Sequence, residues 1–203
     1  MTTRTHSNRP TRTSGPLRAA AAAGALVLAV LGTGCATPAT SSNMTLRAQD
    51  ATATQGAVSE AMRGSVAVKE VTGGKETNPM WVSNVGSAQF EQALQESLRS
   101  VGLLSANRQA GRYELVAHLD KLDQPLFGLD MTVTAKVTYT LVERATGKTV
   151  MQKSFSTPYT AKMGDAFVGT ERLRLANEGA VRQNIAQLIA ELTQFKVSEV
   201  TLR

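Results

Sequence analysis

The feature that most constrains this chain is a basic, then apolar, leader that ends at its single cysteine, Cys35. Residues 1–18 contain four arginines and no acidic residue, and residues 19–31 follow without a charge. This order is typical of an export signal, and the uncharged run is shorter than the roughly 20 apolar residues that a bilayer span needs. Residues 1–34 are therefore predicted to be cleaved off. The mature chain would then fold by packing alone, because no second cysteine is available for an intramolecular disulfide.

The residues just before Cys35 resemble the signal peptide of bacterial lipoproteins. Leu31, Thr33 and Gly34 match the apolar and small positions of that pattern, whereas Gly32 stands where leucine is usual. The resemblance implies a diacylglycerol on the Cys35 sulfur and, after cleavage, an acyl chain on the new amino group. Two or more such chains anchor a protein stably to a membrane. We therefore expect Cys35 to be the lipid attachment site.

The residue after Cys35 indicates which membrane the anchor would enter. In this class of lipoproteins, aspartate at that position is the common sign of retention in the inner membrane, and here the residue is Ala36. The resemblance thus favours the periplasmic face of the outer membrane. Two alternatives remain open: an ordinary secretory signal followed by an incidental free cysteine, and an N-terminal anchor that is retained.

The charge of the whole chain is misleading about its partners. The formal net charge is +6, but the leader holds four of the 22 Lys and Arg residues and none of the 16 Asp and Glu residues. The mature chain therefore has 18 basic and 16 acidic residues, a net charge of +2 without a basic block. A nucleic-acid partner, which would require a concentrated basic surface, is not expected.

Composition divides the mature chain into two parts. Residues 35–64 are rich in Ala, Thr and Ser, which bury little apolar surface, so they are expected to form a flexible tether behind the lipidated cysteine. Residues 65–203 contain the periodic apolar segments and are expected to form one domain with its own core.

Apolar periodicity in residues 65–203 predicts the order β-α-β-β-β-α. Alternation predicts strands at residues 65–71, 113–120, 131–141 and 149–156. A 3.6-residue apolar period predicts helices at residues 87–101 and about 170–192. Residues 197–202 could add a short last strand. This order predicts the α+β class, with an antiparallel sheet that carries two helices on one face.

The apolar pattern of this segment resembles small envelope lipoproteins of the YajG type and, more distantly, the lipopolysaccharide-assembly lipoprotein LptE. The matching positions are Phe90, Ala93, Leu94, Leu98, Gly102 and Leu103, then Tyr113, Leu115 and Ala117, and finally Val133, Ala135, Val137, Tyr139, Leu141, Thr146 and Gly147. The match covers about residues 65–195. It implies a lipid-anchored accessory subunit that binds a partner protein or a glycolipid and is not an enzyme. No binding residue is carried over from these families.

The segment between the second and third strands is a candidate contact surface. Polar turns are usual at such a position, yet residues 123–130 include Leu126, Phe127 and Leu129. If these side chains are exposed, they form an apolar patch of the kind that marks a partner or lipid surface. The alternative, which we slightly favour, is that Phe127 folds back onto the core above a Pro-Gly kink.

The segment before the last helix is a second candidate. Phe167 and its apolar neighbour lie between two glycines, and Arg172 and Arg174 follow at the start of the helix. A helix N-terminus beside two arginines can hold an anion such as a lipid phosphate. The more ordinary interpretation is a structured loop that leads into a helix.

The residues needed for catalysis or metal binding are sparse. His118 is the one histidine of the mature chain, and an envelope hydrolase or acyltransferase would have to use it. No G-x-S-x-G elbow accompanies it. Zinc and copper sites are disfavoured, and Asp120, Asp123 and Asp130 lack the spacing of an EF-hand calcium site. We therefore predict a non-catalytic accessory or adaptor protein of the cell envelope without a cofactor. An enzyme using His118 and a small-ligand or lipid carrier are the alternatives.

Overall fold

The computed structural model describes residues 1–2, 36–78 and 82–195. The chain divides into two units, Met1–Gly34 and Cys35–Arg203. The helices and strands described belong to the second unit. Cys35 and the possible strand at 197–202 lie outside the described residues.

The described residues of this unit form four helices and four strands. They are α1 (Ser41–Met44), α2 (Ala48–Gln55), β1 (Val66–Thr72), α3 (Ser87–Ser100), β2 (Tyr113–Asp123), β3 (Met131–Glu143), β4 (Lys148–Ala161) and α4 (Gly169–Thr193). The strands form one sheet in the order β1-β2-β3-β4. The α+β class and the β-α-β-β-β-α order from β1 onward are confirmed.

The sheet is mixed rather than antiparallel throughout. β1 pairs with β2 in parallel, from Val66 beside Tyr113 to Thr72 beside His118, while the other two pairings are antiparallel. The reason is α3, which carries the chain back to the end where β1 began, as a crossover between parallel strands requires. β2 to β4 are joined by short connections and therefore alternate in direction.

α3 shows how closely the local sequence specifies an element. Its buried stripe consists of Phe90, Ala93, Leu94, Ser97 and Leu98. The helix stops at Gly102, whose φ of +78° is costly for any residue with a Cβ. The Gly102 N–H donates to the carbonyl of Arg99, and the Leu103 N–H donates to that of Leu98. These two bonds form a Schellman motif, which satisfies carbonyls that the helix end would otherwise leave unpaired.

One face of the sheet is buried and the other is exposed. On β3, the alternate residues Met131, Val133, Ala135, Val137, Tyr139 and Leu141 are buried, and the residues between them face outward. α3 packs on β1, and α4 packs on β3 and β4. In the ranges 36–78 and 82–195, no helix is both long and apolar enough to cross a membrane.

The prediction that residues 35–64 form a flexible tether is wrong for the part the structure describes. Residues 36–64 contain α1 and α2, and they add buried side chains to the core: Ala39, Met44, Leu46, Ala51, Val58 and Met62. The Leu46 N–H donates to the buried Ser97 hydroxyl of α3 at 2.9 Å. The segment is therefore an integral layer of the domain.

A single carboxylate fastens the start of this segment to α4. Glu178 is 1% exposed, and one of its oxygens accepts bonds from the Thr40 N–H at 2.8 Å and the Thr40 hydroxyl at 3.1 Å. Its other oxygen accepts from the Asn43 amide at 3.0 Å. Arg174 balances its charge at 2.6 Å. Composition concealed this docking because the partner is more than 130 positions away in the chain.

Candidate functional site

Six exposed apolar side chains gather at one end of the sheet. Leu126, Phe127 and Leu129 lie between β2 and β3, and Met163, Phe167 and Val168 lie between β4 and α4. Apart from Met1, these are all the large hydrophobic residues that are exposed in the described chain. β2 and β4 end where β3 and α4 begin, so both loops belong to the same end. We call these six residues the loop patch.

The side chains of the loop patch project outward instead of covering one another. Leu126 is 93% exposed, Phe127 is 85% exposed and Phe167 is 87% exposed. The favoured expectation that Phe127 folds back onto the core is therefore wrong. Met131 and Leu173, rather than Phe127, are the buried side chains at this end of the sheet.

Arg172 holds the two loops of the patch in place. Its side chain is buried, and one terminal nitrogen donates to the carbonyls of Ala166 at 2.6 Å and Phe167 at 2.8 Å. The other terminal nitrogen reaches the Gly128 carbonyl at 3.4 Å. One guanidinium thus braces both loops from beneath, and the exposed apolar side chains stand on a fixed base.

Two aspartates complete the loop geometry. Asp130 accepts a bond from the Met163 N–H at 3.0 Å and so links the β2–β3 loop to the β4–α4 loop. Asp165 accepts from the Lys162 N–H at 2.8 Å and closes a tight turn within the second loop. Both carboxylates are used to shape the loops that present the patch.

Arg172 and Arg174, the candidate anion contacts, both have partners within the chain. Arg172 donates to loop carbonyls, and Arg174 bonds Glu171 through Nε at 3.0 Å and Glu178 at 2.6 Å. The hydrogen bond from Arg174 lowers the pKa of Glu171, and the same bond raises the pKa of Arg174. Both guanidinium groups therefore stabilise the fold, and an anion contact by either of them stays a prediction.

The N-terminal end of the described domain lies at the same end as the loop patch. The Ser83 hydroxyl donates to the Thr37 carbonyl at 2.8 Å. The Ser83 carbonyl in turn accepts from the side-chain amides of Gln124 at 2.8 Å and Asn177 at 2.9 Å. Gln124 is the residue that follows β2 and opens the first patch loop. A short chain of hydrogen bonds therefore joins Thr37 to the base of the patch.

The buried polar residues of α4 were missed at the sequence level. Asn184 donates to the carbonyls of Ala135 and Phe155 and to the Thr157 hydroxyl, at 3.0–3.1 Å. Asn177 and Glu178 bind the β1–α3 loop and the N-terminal segment. One signal in the sequence could have identified them. These polar residues fall on the same helical face as the apolar stripe, and that face is the one expected to be buried.

His118 does not face a catalytic partner. Its Nδ1 lies 2.7 Å from the Thr72 hydroxyl on the exposed face of the sheet. Asp120, two positions along the same strand, accepts instead from the Thr138 hydroxyl at 2.7 Å. An enzyme that uses His118 stays an untested alternative, and this geometry supplies it with no histidine–carboxylate bond.

The carboxylates considered for a metal site have separate partners. Within residues 36–78 and 82–195, no three His, Cys, Asp or Glu side chains come together. Asp123 pairs with Lys121 at 2.5 Å and Asp130 binds the second patch loop, so the aspartates considered for calcium do not converge. A cleft of about 240 Å³ lies beside the patch, between the β1–α3 loop and the end of β2, with Gln124 on its wall.

Comparison with known proteins gives similar folds without a family assignment. No family model and no curated protein matches this chain. Similar solved structures include a Xanthomonas campestris protein of the DUF330 family, with 13% identity and a TM-score of 0.49 over 67% of this chain and 89% of that one. A Caulobacter crescentus protein proposed to be a lipoprotein has 9% identity and a TM-score of 0.45, over 70% and 93%. PelC from Paraburkholderia phytofirmans, a dodecamer, has 16% identity and a TM-score of 0.44, over 66% and 91%. The resemblance to YajG-type lipoproteins and LptE stays a prediction.

Proposed function

We propose that this protein is a lipoprotein of the bacterial outer membrane, anchored at Cys35 and facing the periplasm. Its domain acts there as a non-catalytic accessory or adaptor in envelope assembly or transport. The loop patch is the observation that supports this role. Large apolar side chains that are exposed together at one end of a domain mark an interaction site.

The way the chain enters the domain supports anchoring close to the membrane. Cys35 immediately precedes Ala36, and Thr40 is already fixed to Glu178 on α4. Acyl chains on Cys35 would therefore attach almost directly to a folded body. Such a protein works at the membrane surface and contacts an envelope protein or a glycolipid there.

The anchor is tested by metabolic labelling with an alkyne fatty acid. The wild-type protein is expected to take up the label and to fractionate with outer membranes. The Cys35→Ser protein is expected to take up none and to leave the membrane fraction. Uptake of label by the Cys35→Ser protein, or absence of label from the wild type, would overturn the lipoprotein assignment.

The adaptor role is tested by photocrosslinking in intact cells. A photoreactive residue is placed at position 126, 127 or 167, and a control is placed at position 146 in the β3–β4 turn, at the far end of the sheet. Mass spectrometry is expected to find one class of envelope component, membrane lipid or envelope protein, joined from the patch positions and absent from the control. Identical products from all four positions would argue against an adaptor that uses this patch.

The enzyme alternative is tested with His118→Ala. The His118 side chain is exposed and its hydrogen bond is to Thr72, so the variant is expected to fold. We expect it to complement a deletion strain as well as the wild type does. Loss of complementation at a normal protein level would favour the enzyme.

A further inference from the structure

We propose that the loop patch inserts into the same membrane leaflet that holds the acyl chains of Cys35. The occupant of the patch is thus the lipid bilayer itself, and the domain sits on the membrane in one fixed orientation. This inference rests on the lipid anchor of the proposed function. It adds what the exposed apolar side chains bind.

Position is the first argument. The described part of the domain begins at Ala36, and Thr37 is joined through Ser83 to Gln124 at the base of the first patch loop. An anchor on the preceding residue, Cys35, therefore leaves the domain at the end where the six apolar side chains project. A leaflet that receives the acyl chains meets the patch without any rearrangement of the domain.

The shape of the patch is the second argument. Its side chains are separate projections, 72–93% exposed for the three residues of the first loop, on a base held by Arg172. A bilayer interface accepts separate projections without a complementary groove, and aromatic and aliphatic side chains are the residues that enter it. A rigid base also means that little conformational entropy is lost on insertion.

The charge of the two loops is the third argument. Residues 124–130 and 162–168 contain one lysine, Lys162, and two aspartates, Asp130 and Asp165. Both aspartates bind backbone N–H groups of the second loop. With no basic cluster, attraction to anionic headgroups contributes little. Binding of the two loops to the membrane should therefore come from insertion of their apolar side chains, and it should depend little on lipid charge.

This orientation places the opposite end of the sheet away from the membrane. β3 runs from Met131 beside the patch to Glu143 at the far turn, a distance of roughly 40 Å at the rise of an extended strand. The β3–β4 turn would then point into the periplasm. Position 146 in that turn is therefore a matched control for a probe in the patch.

The test uses the lipidated full-length gene product with one added cysteine, Phe127→Cys, Phe167→Cys or Thr146→Cys, labelled with an environment-sensitive NBD dye. Cys35 is blocked by its lipid, so the parent protein without an added cysteine should not label. The proteins are reconstituted into phosphatidylcholine vesicles, with or without phosphatidylglycerol. We expect a blue shift and quenching by doxyl lipids at 127 and 167 in both vesicle types, and neither effect at 146.

A second variant separates insertion by the loop patch from mere proximity to the membrane. With the dye on Leu129→Cys, the additional changes Phe127→Ser and Phe167→Ser are expected to abolish most of the quenching while the protein still floats with vesicles. The replaced side chains are exposed, so these variants should keep the wild-type melting temperature.

The outcomes distinguish this inference from the function on which it rests. A protein that does not float, and whose Cys35 takes up dye, would overturn the anchor and the inference together. A protein that floats with dyes at 127 and 167 as exposed as at 146 would overturn the inference alone. Shielding in native envelope fractions but not in protein-free vesicles would also overturn it and would assign the patch to a protein partner.

Discussion

The replacement Glu178→Ala tests whether one buried carboxylate holds the N-terminal segment on the domain. The side chain accepts two bonds from Thr40 and one from Asn43, and it pairs with Arg174. Alanine removes all four interactions and leaves the Thr40 N–H, at the N-cap of α1, without its acceptor. The rest of α4 is expected to remain helical, because alanine has the highest helix propensity.

The size of the effect follows from the burial of Glu178. Breaking a buried charged pair by removing one partner costs about 3–5 kcal/mol. Arg174 keeps its second partner, Glu171, so the lower end of that range applies. We expect about 3 kcal/mol, which is a large part of the 5–15 kcal/mol that stabilises a typical domain.

The cost should appear first as local opening of the docked segment. We expect amides in residues 39–46 to lose about two orders of magnitude of hydrogen-exchange protection, since each 1.4 kcal/mol is a factor of about ten. Trypsin cleavage after the exposed Arg47 should accelerate in parallel. Urea unfolding followed by circular dichroism measures how much of the loss reaches the whole domain.

The matched control is Glu171→Gln, which removes the other partner of Arg174. Glu171 is partly exposed and does not touch the N-terminal segment, so its loss should cost less than about 1 kcal/mol. Unchanged protection of residues 39–46 in the Glu178→Ala protein would refute the reasoning. An equal loss in both variants would refute it as well, by assigning the effect to Arg174 alone.

Three further changes test other parts of the fold. Gly179→Ala would place a Cβ in steric overlap with the Tyr159 ring, so we expect a loss of about 1–3 kcal/mol in urea unfolding. The same change in a Tyr159→Ala background should be neutral or stabilising, because alanine favours the helix. A destabilising effect in both backgrounds would exclude the ring as the cause. Tyr139→Phe removes a buried hydroxyl that has no partner in the described structure and whose burial raises the tyrosine pKa. Thermal unfolding should therefore show a gain in stability of about 1 kcal/mol. A loss of stability would reveal a hydrogen bond to that hydroxyl. The hydrogen bond from Lys69 holds the pKa of Glu114 below the ordinary value of a glutamate, so the pair stabilises the fold above that ordinary value and the contribution is lost as pH falls through the lower folded pKa. Melting temperatures measured downward from about pH 5 should therefore fall less steeply for Glu114→Gln than for the wild type, and identical slopes would contradict this linkage.

The elements that local patterns specify were predictable from the sequence. The alternation along β3 and the stripe and terminating glycine of α3 each involve residues close together in the chain, and the structure contains both elements. The direction of β1 was not predictable in this way, because alternation shows which face is buried and not which way the partner strand runs.

The docking of residues 36–64 was not predictable for a different reason. Composition measures how much apolar surface a segment carries, whereas Met44 is buried by elements formed much later in the chain and Thr40 is fixed by Glu178. Similarly, the composition of residues 123–130 could not place Phe127. Its exposure depends on Arg172, more than 40 positions away, which binds the carbonyl of Gly128 and holds the loop outward.

The absence of a tether changes what a lipid anchor at Cys35 would do. On a flexible tether, the loop patch would face the leaflet only part of the time. With Thr40 fixed to Glu178, an anchor at Cys35 would be attached close to the same folded domain that carries the patch, and its acyl chains would hold the patch at a high effective concentration beside the bilayer. Weak insertion by a few apolar side chains then suffices to set the orientation. Glu178→Ala should therefore leave flotation intact and reduce doxyl quenching at position 127. Equal quenching with and without Glu178 would show that the patch finds the leaflet without this restraint.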